Sequence, residues 1–161
     1  MTNLAFQTLC NSIADEVARL LPEILKTPED FNIKRGNCTL CIMNAAGDSF
    51  AKMFGDNPLR QREAAQIAWK KALQVWITGY ATGDYETLVY SKQVDEEKFG
   101  IARPEFIGWY GGVEAVTANG ERLVLAFSGV RGEQDVGILH KAANNLKSFS
   151  IVGSNILTGH K

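Results

Sequence analysis

Apolar residues recur every three or four positions along the first stretch of the chain, where Leu9, Ile13, Val17, Leu20 and Ile24 fall on one side of a predicted helix. Asn3 is suited to cap its amino end, and Pro28 and Gly36 punctuate the exit into a polar connection. The period then changes. Residues 38–43 read as a strand, Asn44-Ala-Ala-Gly47 as a tight loop and Ser49 to Phe54 as the returning strand. Asp56-Asn-Pro58 interrupts that pattern and opens the longest helical run, from about Arg62 to Ile77. Its Ala64, Ala65, Ala68 and Ala72 let it lie close on a sheet, while Trp69, Leu73 and Trp76 fill volume on a neighbouring face. A shorter helix is predicted around Asp84 to Ser91, with Asp84 and Glu86 favourable at its amino end. Lys92 to Pro104 reads as irregular, with Asp95-Glu-Glu-Lys able to form one helical turn.

A second hairpin is marked by Asn119-Gly120, the signal for a type I′ turn between apolar runs. Closing a two-residue loop there pairs Ala118 with Glu121, Val116 with Leu123, Glu114 with Leu125 and Gly112 with Phe127. One face then carries Gly112, Glu114, Val116, Leu123, Leu125 and Phe127, and the other Val113, Ala115, Val124 and Ala126. Both are apolar, so helices are expected on one face and a partner subunit on the other. A last helix follows from about Asp135 to Leu146, with Val136, Leu139, Ala143 and Leu146 as its core stripe. The order helix, hairpin, helices, hairpin, helix implies an α/β (α+β) domain with an antiparallel sheet, not a doubly wound parallel one.

Composition narrows the class. The 161 residues suit one domain, with no linker or repeat to divide them. At 45% hydrophobic and 22% charged the chain is globular in character, which excludes disorder and rods. A net charge of −1 gives no general pull towards nucleic acid or anionic lipid. No apolar run approaches the roughly 18 residues of a membrane span, and no leader pattern opens the sequence, so a cytoplasmic protein is expected. Cys10, Cys38 and Cys41 are read as buried bystander thiols. Cys38-Thr-Leu-Cys41 lies on a strand, where positions three apart point to opposite faces, and with only His140 and His160 available no zinc set is expected.

The ordered motifs between about Cys38 and Leu146 resemble the GlcG/HbpS-like family, named after a glycolate-operon protein and a haem-binding protein. Asn44-Ala-Ala-Gly47 resembles its first turn, Phe54-Gly-Asp56 its Asp-Gly loop, and Ala68-Trp-Lys-Lys71-Ala72 its central-helix motif. Tyr110-Gly111-Gly112-Val113 resembles its Gly-Gly-Val-Pro, followed by Asn119-Gly120 and by Ser128-Gly129 with Asp135. Glu114 stands where the family has proline, Asn44 replaces its usual first acid, and Gly55-Asp56 inverts its Asp-Gly. The resemblance implies a profilin-like sandwich that assembles into dimers or higher homo-oligomers, and it brings haem in as a possible cofactor.

Several residues are candidates for chemistry. Gly111 and Gly112, beside Trp109 and Tyr110, mark either close backbone packing or one wall of a flat pocket. Glu114, on an apolar face, is a candidate acid or base, with Lys71 as its partner; an edge position in water and a solvent-seeking lysine are the plainer readings. Arg131, before the last helix, is a candidate anion contact. Arg60 and Arg62 hold an analogous place before the central helix. His140, on the flank of the last helix, is a candidate haem ligand or a simple surface histidine. The leading expectation is a small-molecule or tetrapyrrole (haem-type) binding homo-oligomer. The alternatives are an enzyme acting on a small organic acid through Glu114, Lys71 and Arg131, and an assembly subunit without a ligand.

Overall fold

A computed structural model describes residues 1–102 and 104–152. His160 and the end of the expected carboxyl-terminal tail lie outside the described residues. Helix α1 (Asn3–Ile24) is capped not by the expected Asn3 but by Thr2 before it, and the Thr2 hydroxyl accepts from the Ala5 N–H at 3.2 Å. A short α2 (Pro28–Lys34) leads to β1 (Cys38–Asn44) and β2 (Ser49–Phe54). Helix α3 (Pro58–Thr78) begins earlier than predicted, because the Asn57 side chain accepts from Leu59 and Arg60 N–H and Pro58 suits the first helical position. Then come α4 (Thr82–Tyr90), a 3₁₀ turn at Glu96–Phe99, β3 (Gly112–Thr117), β4 (Arg122–Ser128), α5 (Gly132–Leu146) and β5 (Phe149–Ile151). The predicted α+β class with an antiparallel sheet is what the chain forms, with five strands among the described residues in the order β2-β1-β4-β3-β5. Three residues are too few to show a period, so β5 was not legible in the sequence.

The sheet is covered on both faces by this chain. Phe6, Ile13 and Val17 of α1 and Ile138 and Leu139 of α5 pack on Leu40, Ile42, Leu123, Leu125 and Phe127. On the other face Ala68, Ala72 and Val75 of α3 meet Cys41, Met43, Val124 and Ala126. The small side chains of α3 let its backbone approach the strands, as the alanine spacing predicted. The expectation that a partner subunit covers the second face is therefore corrected: α3 does so. Leu73, expected to fill volume, lies half exposed on the outer side of that helix, whereas Trp69 and Trp76 are partly buried. Cys38 and Cys41 belong to opposite faces of β1, as a strand requires.

The second hairpin closes one residue away from the predicted register. Gly120 N–H donates to Thr117 O at 2.9 Å, Thr117 N–H donates to Glu121 O, and the Thr117 hydroxyl accepts from Glu121 N–H at 3.1 Å. Thr117 thus holds a three-residue loop, with Gly120 at φ +80° in the left-handed position such loops need. Gly112 consequently lies opposite Ala126, Glu114 opposite Val124 and Val116 opposite Arg122. A one-residue shift moves each pairing across the pleat. Phe127 now sits in the α1–α5 core, not across from Gly112.

Candidate functional site

At the carboxyl end of β4 the chain leaves a cleft of about 710 Å³. Ile33 and Lys34 of α2, Ile67 and Lys71 of α3, and Gly83, Glu86 and Thr87 of α4 line it from one side. Gly108, Trp109, Tyr110, Ser128, Val130 and Arg131, with Gly132, Glu133 and Asp135 of the first turn of α5, complete it. The volume falls within the roughly 300–1,000 Å³ usual for small-molecule sites.

Its base is a buried ion pair. Lys71 Nζ donates to Asp135 Oδ2 at 2.8 Å and to Phe127 O at 3.0 Å, and neither side chain is more than 5% exposed. Asp135 Oδ1 accepts from Val130 N–H at 3.2 Å, so one carboxylate ties α3, the end of β4 and the start of α5 together. Burial pushes Asp135 up to about 7 and Lys71 down, against their mutual attraction. Lys71 is therefore neither solvent-seeking nor paired with Glu114. The sequence motif placed it mid-helix on the small-residue face, but only the fold brings Asp135 to it.

Arg131 already holds a carboxylate, and it is an internal one. Its Nε and Nη2 donate to Asp30 Oδ1 and Oδ2, each at 2.9 Å, and its backbone N–H donates to Oδ1 at 3.1 Å. The guanidinium keeps Asp30 below the usual carboxylate range. Lys34, at the rim, pairs with Glu63 at 3.1 Å. Arg60 pairs with the same carboxylate at 3.0 Å.

The aromatic wall is held by buried polar side chains. Gln74 donates to Ile107 O at 2.8 Å and accepts from Ile107 N–H at 2.7 Å, fixing the segment that carries the aromatics to α3. Thr82 donates to Trp109 O at 2.6 Å, which leaves the Trp109 ring 66% exposed at the rim. The Tyr110 ring lies on Gly83, where any side chain would collide with it. The glycine pair next to it answers to close packing. A β-carbon on Gly111, at φ +116°, would stand 2.6 Å from Phe127 O and 2.9 Å from Lys71 Nζ. One on Gly112 would stand 2.7 Å from Thr82 Cγ2 and 3.1 Å from Lys71 Cβ.

Trp109, Tyr110, Lys71 and Arg131 thus come together around the cleft, and Gly111 and Gly112 lie behind its base. Glu114 and His140 lie elsewhere. The register shift turns Glu114 to Arg122, which donates to Oε2 at 3.0 Å and also reaches Val75 O and Trp76 O near the end of α3. His140 is exposed and borders a separate groove of about 450 Å³ with Phe149 and Lys147. The acid–base set of Glu114, Lys71 and Arg131 is therefore not assembled: each has a different charged partner. The three thiols are buried, which pushes each up to about 12. Asp30, Glu86 and Ile67 went unread as site residues, since nothing local to them signals a cleft built from distant elements.

No family model matches the sequence, and no curated protein does. Solved structures do match. PduOC, solved as a complex with haem, superposes with a TM-score of 0.60 at 17% identity over 87% of this chain and 94% of that one. HbpS gives 0.54 at 15% identity over 83% and 86%. ORFY of Klebsiella pneumoniae, carrying the family model DUF336, gives 0.58 at 14% identity over 82% and 86%. The chain has the GlcG/HbpS-like fold. The resemblance in the ordered motifs is borne out at that level, and their scattered residues have a structural reason. Lys71, Gly111, Gly112 and Asp135 meet in one joint between sheet and helices, below the cleft.

Proposed function

We propose that this chain is a small-molecule binding protein whose site is the cleft between α4, the 108–110 segment and the start of α5. The carrying observation is a concave volume of about 710 Å³ with Trp109, Tyr110, Ile67 and Val130 among its walls, set on a rigid buried ion pair. The fold shared with PduOC, which has been solved with haem, supports a ligand-binding role.

The donor set is a poor match to haem itself. Haem iron takes His, Cys, Met or Tyr ligands, and of these only Tyr110 lines the cleft among the described residues. Haem propionates call for available cations, whereas Lys34, Lys71 and Arg131 each hold a carboxylate of this chain. The cleft therefore suits a flat organic ligand in size, while its described residues lack the groups for iron and propionates. Titration with haem is expected to give a weak absorbance change without saturation. A sharp Soret band saturating at one haem per chain would restore haem as the ligand.

Native mass spectrometry tests the binding role. A bound species should appear on the wild-type protein and be lost in Gly132→Leu, which adds bulk beside Tyr110 inside the cleft. Identical bare spectra would overturn the proposal. Self-association is kept on a different footing from the covered sheet face. Leu73 and Ile77, one turn apart on α3, are 49% and 50% exposed and offer an apolar strip to a second copy. Light scattering should show a mass above that of one chain, and a clean 17.7 kDa particle would end this reading.

A further inference from the structure

The charges around the cleft are not evenly satisfied. Among the described residues its three cations are all engaged: Lys71 with Asp135, Lys34 with Glu63 and Arg131 with Asp30. Of its acids, Glu86 has no hydrogen bond or ion pair with any described residue, and Glu133 forms no salt bridge among them. The Glu86 carboxyl group crowds the place where a side chain on Gly108 would stand. It thereby occupies the cleft wall against Gly108, the residue before Trp109, and Trp109 lines the same cleft. The amino end of α5, which would favour an anion, already has acids of this chain in and just before its first turn. Asp135 accepts from Val130 N–H, Asp30 accepts from Arg131 N–H, and Glu133 and Asp135 stand in its first turn.

A half-buried unpaired carboxylate and an exposed indole in one cleft are the recognition chemistry of organic cations, through Coulomb attraction and the negative face of the ring. We infer that the cleft selects a cationic ligand: a flat organic amine or alkylammonium whose charge sits between Glu86 and the Trp109 ring. This rests on the proposed binding role of the same cleft and names the ligand class that the role leaves open.

The test uses two indole probes of similar shape and opposite charge, tryptamine and indole-3-propionate, followed through the Trp109 indole N–H resonance of the full-length protein. Tryptamine should shift that resonance saturably and bind about tenfold or more tighter than the acid, and added salt should weaken it. Glu86→Gln should cost tryptamine about tenfold while moving the melting temperature by less than about 2 °C, because Glu86 bonds to none of the described residues. Equal or tighter binding of the acid at Trp109, or an unchanged tryptamine affinity in Glu86→Gln, would overturn the charge selection and leave the cleft as the binding site. If neither probe shifts Trp109 at millimolar concentration, both the charge selection and the binding role of the cleft fail.

Discussion

The carboxylate–cation pairs Lys71–Asp135 and Arg131–Asp30, both at the cleft, differ in where the cation stands. In Lys71–Asp135 both side chains are buried, at 1% and 5% exposure. In Arg131–Asp30 the carboxylate is at 1% while the guanidinium is 45% exposed. The consequences run in opposite directions. Burial of the whole first pair raises Asp135 and lowers Lys71, so both charged forms are held at a cost that the hydrogen bonds to Val130 and Phe127 help to offset. In the second pair the water-facing guanidinium keeps its hydration and lowers Asp30 instead. The first pair is a joint of the fold, whereas the second is a clasp at the rim between α2 and α5.

The sharpest way to break this contrast is to remove the buried cation. Lys71→Met leaves Asp135 buried without a counter-charge and should lower stability by about 3–5 kcal/mol near pH 8 in denaturant titrations. The loss should shrink towards pH 5, where protonating Asp135 is easier, and Lys71→Met combined with Asp135→Asn should recover part of it. A single-variant loss below about 1 kcal/mol would show that the pair is not a joint.

Gly112→Val presses on the same joint from the strand side, against Thr82, Val75 and the Lys71 stem. It should cost about 1–3 kcal/mol by overpacking. A neutral result would mean that α3 can move off the sheet there.

Asp30→Asn should cost less, about 1 kcal/mol, because water screens the exposed partner. The pH dependence of the two acids separates them further. Asp30 is lowered in the folded state, so its contribution is present above the ordinary carboxylate range and is lost as pH falls through that range and below it. Asp135 is raised to about 7, so the folded chain keeps a proton that the unfolded chain has released. Its contribution therefore declines as pH rises from the ordinary carboxylate range towards about 7. Denaturant midpoints against pH should flatten at the acid end in Asp30→Asn and in the middle range in Asp135→Asn. The same change in both variants would erase the distinction.

The smallest effect on stability belongs to the rim. Trp109→Ala should change unfolding by no more than about 0.5 kcal/mol, given its exposed ring, yet weaken binding of any cleft ligand. A large stability loss would make Trp109 part of the core and not of the site.

Local pattern was enough for most of the fold. The alanine spacing of α3 announced a helix lying tight on a sheet, the change of period at Cys38 announced β1 and β2, and the strand reading placed Cys38 and Cys41 on opposite faces. These features depend on residues close in sequence. The hairpin register turned on one threonine, because Thr117 uses both its backbone and its hydroxyl to widen the loop, and Asn119-Gly120 read alone favours the tighter turn. Trp109, Tyr110, Lys71 and Arg131 were singled out by residue type and position, but their partners were not. Asp135 lies 64 residues from Lys71, and Asp30 lies 101 from Arg131. A charged side chain does not disclose whether it will face water or another charge until packing has set its dielectric surroundings. The sequence by itself determined the elements and their apolar faces, which follow from periodicity along the chain. Only the tertiary structure decided which charges neutralise one another and that Glu86 is among the carboxylates left at the cleft, because that pairing depends on distances between elements that no local pattern encodes.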